Sequence, residues 1–303
     1  MLVRLEGPVD LAASLEPFRR WGDDRLDRFD GRVVVRTVPL PTGAVAFSAR
    51  IAGTIEQPAL GVDIADAATG PAVAAAVATM IVGGSLGDLT ERDPVLGALD
   101  RRFPGVRPVL QFDLLASLVR AISAQQVNLR WAATIRSRVA AAYGHLHRVG
   151  AWEVWSLDAE ALAQATVDEL RVLQLTTAKS RSLAGCAGAV ASGQLSMAEL
   201  RLLDDEAVIE RLVELPGIGR WSAEWFLART LGRPRVVAGD LGVRKAIGAA
   251  YLAGRMPSEA EVRQLTAHWG DAAGIAQQLL LQGLATGSLE EVLADAQRTS
   301  RTV

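Results

Sequence analysis

Two short segments carry residues whose types and spacing point to chemistry. The first, residues 215–223, reads LPGIGRWSA, and its glycines Gly217 and Gly219 let the backbone turn sharply and approach another molecule closely. Because the turn opens into a helix, its free N–H groups form a seat for one phosphate at the positive helix end. The second segment carries Asp240, an isolated acid downstream of the turn. A phosphate seat followed by a carboxylate indicates catalysis on DNA rather than binding alone.

Two tryptophans follow the glycine turn at helical spacing. Trp221 and Trp225 are four residues apart, so they share one face of the helix that the turn opens. Such a face can sandwich a base rotated out of the duplex, since base flipping needs an aromatic surface to replace lost stacking. A tryptophan pair at this spacing is also common in protein cores, and taken alone the pattern favours core packing.

The carboxylate of Asp240 has a structural and a catalytic interpretation. Asp is a preferred N-cap residue, and a helix is predicted to begin at Leu241. A capping carboxylate is fixed by backbone N–H groups, which also favour its ionised form. The two interpretations are compatible, and the spacing alone favours the cap.

Composition and charge limit the class of protein. The chain has 303 residues, half of them hydrophobic, and a net charge of −2, so no global attraction to nucleic acid is indicated. The segment from Arg211 to Lys245 contains seven basic residues and three acidic ones. This local excess of positive charge fits binding to a few phosphates. Solvated helix faces would explain the same charges equally well.

The single cysteine and the apolar segments bear on compartment. Cys186 excludes an internal disulfide and a four-cysteine zinc or iron–sulfur site, which favours a reducing cytoplasm. The start of the chain lacks a secretory pattern. The most apolar stretch, Ala72 to Val82, is short of the roughly 20 residues that cross a bilayer, so no membrane association is predicted.

The chain divides into an α+β part and a helical part. Residues 1–103 are predicted to form a small antiparallel sheet with helices. The sheet would contain a hairpin of residues 32–38 and 44–51, a third strand over 59–65 and a helix over 71–82. Residues 104–303 are predicted to be almost wholly helical, with two subdomains flanking a cleft. Asp113 is expected to cap the first of these helices, and His145 and His147 to lie in a solvated loop.

These segments together resemble a known family. LPGIGRWSAEWF, followed by VVAGDLGVRKAI, is similar to the signature of the helix-hairpin-helix (HhH-GPD) DNA glycosylase superfamily, nearest its bacterial DNA-3-methyladenine glycosylase (AlkA-type) branch. The segments AISAQQV at 121–127 and LTTAKSRSL at 175–183 also resemble that branch. The resemblance is good over about residues 106–251 and weak over the predicted sheet.

The resemblance implies a function and roles for individual residues. It implies a mostly α fold and excision of damaged, alkylated bases from duplex DNA, with Asp240 stabilising the cationic sugar and orienting water. Trp221 and Trp225 would bind the base, and Gln126 would fill the space that the base vacates. A solvent-facing helix end is an equal alternative for Gln126. The DNA backbone would contact a set of residues in the turn, namely Gly217, Gly219, Arg220 and Ser222.

The resemblance also bears on cofactors and on strand cleavage. No cofactor is required, but a sodium or potassium ion is implied at the backbone carbonyls of Val213, Leu215 and Ile218. Bifunctional members carry a lysine where this chain has Trp221, and neither Lys179 nor Lys245 matches that position. A monofunctional enzyme is therefore expected, and it is expected to be a monomer that acts on DNA of the cytoplasmic nucleoid.

One segment departs from the branch. After Trp269 the chain reads GDAAGIA, where the branch has aromatic and polar residues that wall the pocket. We therefore expect a wider or differently lined pocket. The alternatives are a non-catalytic or weakly active helix-hairpin-helix protein that binds damaged DNA, a bifunctional glycosylase and lyase, and a helical scaffold that binds a small molecule or a protein and has no salt-dependent affinity for DNA.

Overall fold

The N-terminal part of the computed structural model, which describes residues 1–300, is built on an antiparallel sheet of order β1-β5-β4-β3-β2. The predicted hairpin and third strand are confirmed, and two short edge strands were not predicted. The strands are β1 (Leu2–Arg4), β2 (Arg28–Phe29), β3 (Val33–Leu40), β4 (Gly43–Gly53) and β5 (Pro58–Ile64). In the central pair, Val34 lies opposite Ala49 and Val38 opposite Val45.

Alternation along β3 gives the sheet two apolar faces. Val34 and Val38 face a buried cluster that includes Leu15, Val73 and Met80 from the helical segments around the sheet. Val33 and Val35, on the other face, pack against the hairpin described next. The sheet is therefore covered on both sides, and its second cover comes from the middle of the chain.

A β-hairpin interrupts the helical part of the chain. Its strands, β6 (Gly144–Val149) and β7 (Trp152–Leu157), place Val149 and Val154 against the outer face of the N-terminal sheet. The prediction of an almost wholly helical region with a loop at His145 and His147 was therefore wrong here. Both histidines lie in β6, where His147 Nε2 is 2.8 Å from Ser156 Oγ. The alternating residues of these strands pair with each other and bury one face, which a helix here would not do.

The remaining chain is helical, so the predicted class, mostly α after an α+β N-terminal part, is confirmed. The helices that precede β6 are α1 (Leu11–Leu15), α2 (Pro17–Arg20), α3 (Gly70–Ala78), α4 (Leu89–Arg92), α5 (Pro94–Arg102), α6 (Leu114–Ala124) and α7 (Leu129–Tyr143). Those that follow β7 are α8 (Ala159–Gln164), α9 (Val167–Val172), α10 (Thr177–Ala191), α11 (Met197–Leu202), α12 (Asp205–Val213), α13 (Arg220–Arg229), α14 (Leu241–Tyr251), α15 (Glu259–Thr266), α16 (Ala273–Thr286) and α17 (Leu289–Ser300). No helix within residues 1–300 is long and apolar enough to cross a bilayer.

Side-chain caps fix where many helices begin. Asp113 accepts a hydrogen bond from the Ala116 N–H at the start of α6, as predicted. Thr166 and Ser258 each form a capping box, the latter at the start of α15. These local signals set the register of the helices that surround the site.

The helices form two buried clusters. One is built from residues of α6 to α13, and the other from the C-terminal helices α14, α16 and α17. Leu96 and Leu99 of α5 belong to the second cluster and not to the core of the sheet. The domain boundary at residue 103 stays a prediction, but α4 and α5, which lie before it, share their core with the end of the chain.

A buried group of charges joins the N-terminal part to α6 and α7. Asp24 forms ion pairs at 2.8 Å with Arg120 and Arg136, while Asp27 pairs with Arg36 and Arg120. We call these five residues the buried ion cluster. Burial alone would raise the pKa of Asp24, but the two guanidiniums outweigh it and hold that pKa at about 2. The cluster also forms one wall of the cavity described below.

Candidate active site

The glycine turn joins α12 to α13 as predicted. Leu215 and Ile218 are buried and anchor the turn to the first helical cluster. Gly217 has a φ of +75°, and a Cβ there would lie 2.0 Å from Ser182 Oγ, so only glycine fits. Gly219, the N-cap of α13, would place a Cβ in open space. The first amides of α13 therefore face an unobstructed surface.

Replacing Gly217 by alanine is expected to destabilise the fold by about 2–3 kcal/mol, because the methyl group clashes with α10 and the left-handed conformation disfavours alanine. Thermal melting measures the change. Gly219→Ala is the matched control, since its φ is −101° and no atom lies within 4 Å of its Cβ position. Equal melting temperatures for the two variants would contradict this account of the turn.

Asp240 is both an N-cap and a cavity residue. Its Oδ1 accepts the Val243 N–H at 3.0 Å, which begins α14, and its Oδ2 accepts the Trp221 indole N–H at 3.3 Å. The carboxylate is partly buried at the wall of a cavity of about 1160 Å³. The cap thus orients a carboxylate that remains accessible from the cavity.

Both tryptophans of the motif line this cavity rather than the core. Trp221 and Trp225 are partly exposed on its wall, one helical turn apart, so the core-packing alternative is wrong. Phe18 of α2 and Trp21, the residue after that helix, line the same space. Sequence reasoning missed this second aromatic pair, because no spacing relates residues that lie two hundred positions apart.

Arg229 is a further cavity residue that sequence reasoning missed. It lies two turns after Trp221 on the same face of α13, so the four-residue spacing of the tryptophans could have revealed it. Burial lowers its pKa to about 10, and the Asp240 carboxylate opposes that shift, so the guanidinium is charged at neutral pH. Among residues 1–300, its side chain has no hydrogen-bond or ion-pair partner.

Gln126 projects from the end of α6 beside the cavity. It is exposed and holds a left-handed φ of +55°, a conformation that costs a non-glycine residue about 1 kcal/mol or more. Its neighbour Gln125 donates from Nε2 to the Gly217 carbonyl at 2.9 Å and to Ser222 Oγ at 3.2 Å. Lys179 Nζ donates to the Gln125 carbonyl at 2.7 Å. The projecting Gln126 is thus held next to the glycine turn through its neighbour Gln125.

Two predicted backbone-binding side chains have partners inside the protein. Ser222 is buried and bonded to Gln125, which leaves its backbone N–H to face a phosphate. Arg220 pairs with Glu206 at 3.2 Å and with Glu224 at 3.1 Å. The local basic excess is also partly neutralised. Arg235 pairs with Glu206, an acid that lies outside the segment between Arg211 and Lys245. The fold brings in acids that the linear count could not include.

The divergent segment after Trp269 lies elsewhere. Asp271 and Gly274 line a smaller cleft of about 550 Å³, and residues 270–276 are not among those lining the large cavity. The expectation of a wider or differently lined pocket stays a prediction, although the segment itself does not line the cavity. The C-terminal wall comes instead from α16, through Gln278, Leu281 and Gln282.

The implied cation site consists of three carbonyls in the glycine turn. The Leu215 carbonyl accepts the Ile218 N–H at 3.2 Å. The carbonyls of Val213 and Ile218 accept no hydrogen bond from the described part of the chain outside regular helices, so their oxygens are free to bind a cation. The donor set therefore fits a sodium or potassium ion, which prefers neutral oxygen ligands.

Fold and site together define a helix-hairpin-helix protein with a cavity beside the hairpin that holds a carboxylate and several aromatic side chains. The chain belongs to the HhH-GPD superfamily of base excision DNA repair proteins, whose family model matches residues 119–271. The predicted family is thereby confirmed.

The chain is also similar in sequence to DNA-3-methyladenine glycosylases, the branch that the sequence resemblance indicated. A DNA-3-methyladenine glycosylase of Bacillus subtilis is 27% identical over 184 residues, which cover 60% of this chain and 61% of that protein. DNA-3-methyladenine glycosylase 2 of Escherichia coli is 32% identical over 134 residues, covering 44% and 47%. The chain thus matches between about half and three fifths of the length of these relatives.

A solved structure resembles the whole fold. A 3-methyladenine DNA glycosylase from Archaeoglobus fulgidus superposes with a TM-score of 0.83, covering 95% of this chain and 99% of that chain at 23% identity. The likeness includes the N-terminal sheet, for which the sequence resemblance was weak. It establishes the shared architecture.

Proposed function

We propose that this protein is a monofunctional DNA glycosylase that flips damaged bases, alkylated ones included, out of duplex DNA and hydrolyses their glycosidic bond. The observation that carries the proposal is Asp240. Its carboxylate is fixed by the start of α14 and by Trp221 at the wall of an aromatic cavity beside the glycine turn. The cavity exceeds the size that a single nucleobase needs.

Asp240 would act on the sugar. As the bond between C1′ and the base breaks, positive charge develops at C1′, and a fixed carboxylate in a partly dry site stabilises that charge. The same carboxylate can take a proton from the attacking water. Glycoside hydrolysis usually employs a second carboxyl group as an acid, but a cationic alkylated purine leaves without one.

The aromatic walls would hold the flipped base. Stacking on Trp225 and on the Trp21 side of the cavity replaces the stacking lost from the duplex. A cationic base gains a further roughly 0.5–2 kcal/mol from an aromatic face. Binding of this kind depends on shape and charge and tolerates several bases.

No lysine is placed for a lyase step. Trp221 would occupy the position of the lyase lysine, and Lys179 Nζ is engaged with the carbonyls of Ser123 and Gln125. Lys245 is exposed on α14 and, like Lys179, does not line the cavity. The product would therefore be an abasic site with an intact strand. Borohydride should trap no covalent adduct between the protein and DNA.

The glycine turn would bind the DNA backbone. The amides that follow Gly217 and Gly219 face outward at the start of α13, which suits one phosphate. A sodium or potassium ion on the carbonyls of Val213, Leu215 and Ile218 would add positive charge at the same phosphate. Arg220 would contribute to this contact by exchanging one of its two carboxylates for the phosphate.

Gln126→Ala is expected to lower single-turnover base release about tenfold, because the residue would fill the space left by the flipped base and slow its return. Its left-handed backbone is set by Gln125 and Lys179, so the fold should persist. Gln174→Ala is the matched control, since Gln174 is also a glutamine with a positive φ, of 71°. Release at the wild-type rate by Gln126→Ala would remove Gln126 from the mechanism.

The test of the function is release of a modified base. Methylated duplex DNA is incubated with the protein, the freed bases are separated by chromatography, and alkali then cleaves the abasic strand. Binding to abasic DNA without any release would favour the alternative, a non-catalytic damage-binding protein. We further propose that the protein acts as a monomer on the DNA of the cytoplasmic nucleoid, which sedimentation and localisation measurements would check.

A further inference from the structure

A chain of ion pairs joins α13 to the start of α15. Glu224, one turn after Arg220 on α13, is buried, and its Oε1 accepts a hydrogen bond from Arg263 Nη1 at 2.7 Å. Arg263 Nη2 pairs in turn with Glu259 Oε2 at 3.3 Å, one turn earlier on α15. We call Glu224, Arg263 and Glu259 the α15 bridge. None of the three lines the cavity that holds Asp240, so the bridge lies outside its wall.

The far end of the bridge lies against the residue that precedes Asp240. A Cβ on Gly239 would lie 3.1 Å from Glu259 Oε1, so this carboxylate packs directly on the Gly239 backbone. One oxygen of Glu259 therefore faces Arg263 and the other faces Gly239, which fixes the carboxylate on both sides. The bridge thus connects the helix that carries Trp221 with the backbone that carries the candidate catalytic carboxylate.

The direct hydrogen bond between Asp240 and α13 is long. It runs from the Trp221 indole N–H to Oδ2 at 3.3 Å, whereas such bonds are usually about 2.9–3.0 Å. The turn before Asp240 is closed by its own N–H on the Val237 carbonyl at 3.0 Å, and the Val237 N–H donates to Gln277 of α16 at 2.7 Å. These bonds fix the turn to α16 but not to α13. The bridge opposes a shift of the turn relative to the hairpin, which would move the carboxylate relative to bound DNA.

Arg263 also keeps Glu224 paired while the hairpin binds DNA. Arg220 Nε donates to the same Oε1 at 3.1 Å, and Glu224 Oε2 is buried and accepts no hydrogen bond within residues 1–300. When Arg220 exchanges this carboxylate for a phosphate, as proposed above, Arg263 makes the shortest contact that remains. A buried carboxylate without a partner is strongly disfavoured, so this contact holds α13 and α15 together in the DNA-bound state.

We propose that Arg263 is a positioning residue for Asp240 and acts through Glu224 and Glu259. The inference rests on the proposed glycosylase function, since it concerns where the carboxylate lies relative to C1′. A planar guanidinium suits this role because its separate nitrogens bond two carboxylates at once. A reacting group that is misplaced by about 1 Å loses on the order of 10²-fold in rate, even when the substitution lies far from the chemistry.

Single-turnover release of modified bases from methylated duplex DNA tests the inference, together with the affinity for abasic DNA. Arg263→Met should lower the rate constant at saturating protein about 10- to 100-fold. The affinity should be unchanged, because the hairpin amides that bind the backbone are intact. Glu259→Ala should lower the rate constant similarly, since it removes the carboxylate that packs on Gly239. Glu259→Gln should release bases at nearly the wild-type rate, because its amide oxygen still accepts from Arg263 and its shape is retained.

Arg255→Met is the matched control, because Arg255 pairs at 2.7 Å with Glu261 of the same helix in an exposed position. Melting temperatures establish that each variant is folded at the assay temperature. Hydrogen exchange of the amides in residues 237–243 gives a readout that does not depend on activity. Exchange there should become faster in Arg263→Met but not in Arg255→Met.

Release at the wild-type rate by folded Arg263→Met or by Glu259→Ala would overturn the inference and leave the proposed function intact. A loss of DNA affinity as large as the loss of rate in Arg263→Met would assign the bridge to DNA binding instead. Release of no base by the wild type would count against the proposed function itself. Exchange in residues 237–243 would then still decide whether Arg263 holds Asp240 in place.

Discussion

Asp240→Asn is expected to lower the rate of base release about 10²–10⁴-fold without loss of the fold. Asparagine caps helices as well as aspartate does, so its side-chain oxygen can keep the 3.0 Å bond from Val243 N–H. What is lost is the negative charge that faces the developing cation at C1′. Single-turnover release from methylated duplex DNA measures the effect.

The controls separate catalysis from structure. Asp204→Asn replaces another capping aspartate, which accepts the Ala207 N–H at 2.8 Å in an exposed position at the start of α12. This variant should release bases at the wild-type rate and melt at the wild-type temperature. Asp240→Asn should still bind abasic DNA, because the glycine turn is unchanged. Release by Asp240→Asn at the wild-type rate would remove Asp240 from the mechanism.

Local sequence patterns predicted those parts of the site that lie on adjacent elements. The glycine turn, the capping role of Asp240 and the shared face of Trp221 and Trp225 all depend on spacings of a few residues. Such spacings predict the folded positions because a helix has a fixed pitch, which determines the residues that share a face. The same rule extends the face to Arg229, which the pattern contained although its significance was missed.

The parts that the sequence did not predict come from distant elements. Trp21 lines the cavity close to Asp24, whose ion pair with Arg120 joins the segment after α2 to α6, and no local pattern encodes that contact. In the sequence, Gln278 and Gln282 look like the ordinary polar residues of an amphipathic helix. Only the structure shows that they are buried without partners. The offset of the basic excess by Glu206 has the same origin, since ion pairs form across the fold.

The β6–β7 hairpin was missed for a different reason. Its sequence alternates through Trp152, Val154 and Ser156 and turns at Gly150, which are strand and turn signals. The strong helical periodicity on both sides led to the prediction of a continuous helical region. Its apolar face is buried only because Val33 and Val35 of a distant strand cover it.

Asp24→Asn is expected to destabilise the protein by about 3–5 kcal/mol, which lowers the melting temperature by roughly 10 °C. The carboxylate compensates the buried guanidiniums of Arg120 and Arg136, each at 2.8 Å, and a neutral amide leaves them without that compensation. Asp23→Asn is the control, because Asp23 pairs with Arg28 at the surface and should contribute less than about 1 kcal/mol. Equal effects of the two variants on the melting temperature would contradict the importance of burial.

The contribution of Asp24 should also depend on pH. Its pKa is about 2 in the folded protein and about 4 in the unfolded chain, so the unfolded chain binds the proton first as the pH falls. The stabilisation is therefore fully present above about pH 4 and is lost as the pH falls towards 2. Denaturant unfolding of the wild type and Asp24→Asn between pH 7 and pH 3 measures this, and the difference in unfolding free energy should shrink only below about pH 4. Since Asp24, Arg120 and Arg136 line the cavity, this loss should also loosen the segment that carries Asp24 and, with it, Trp21 on the same wall.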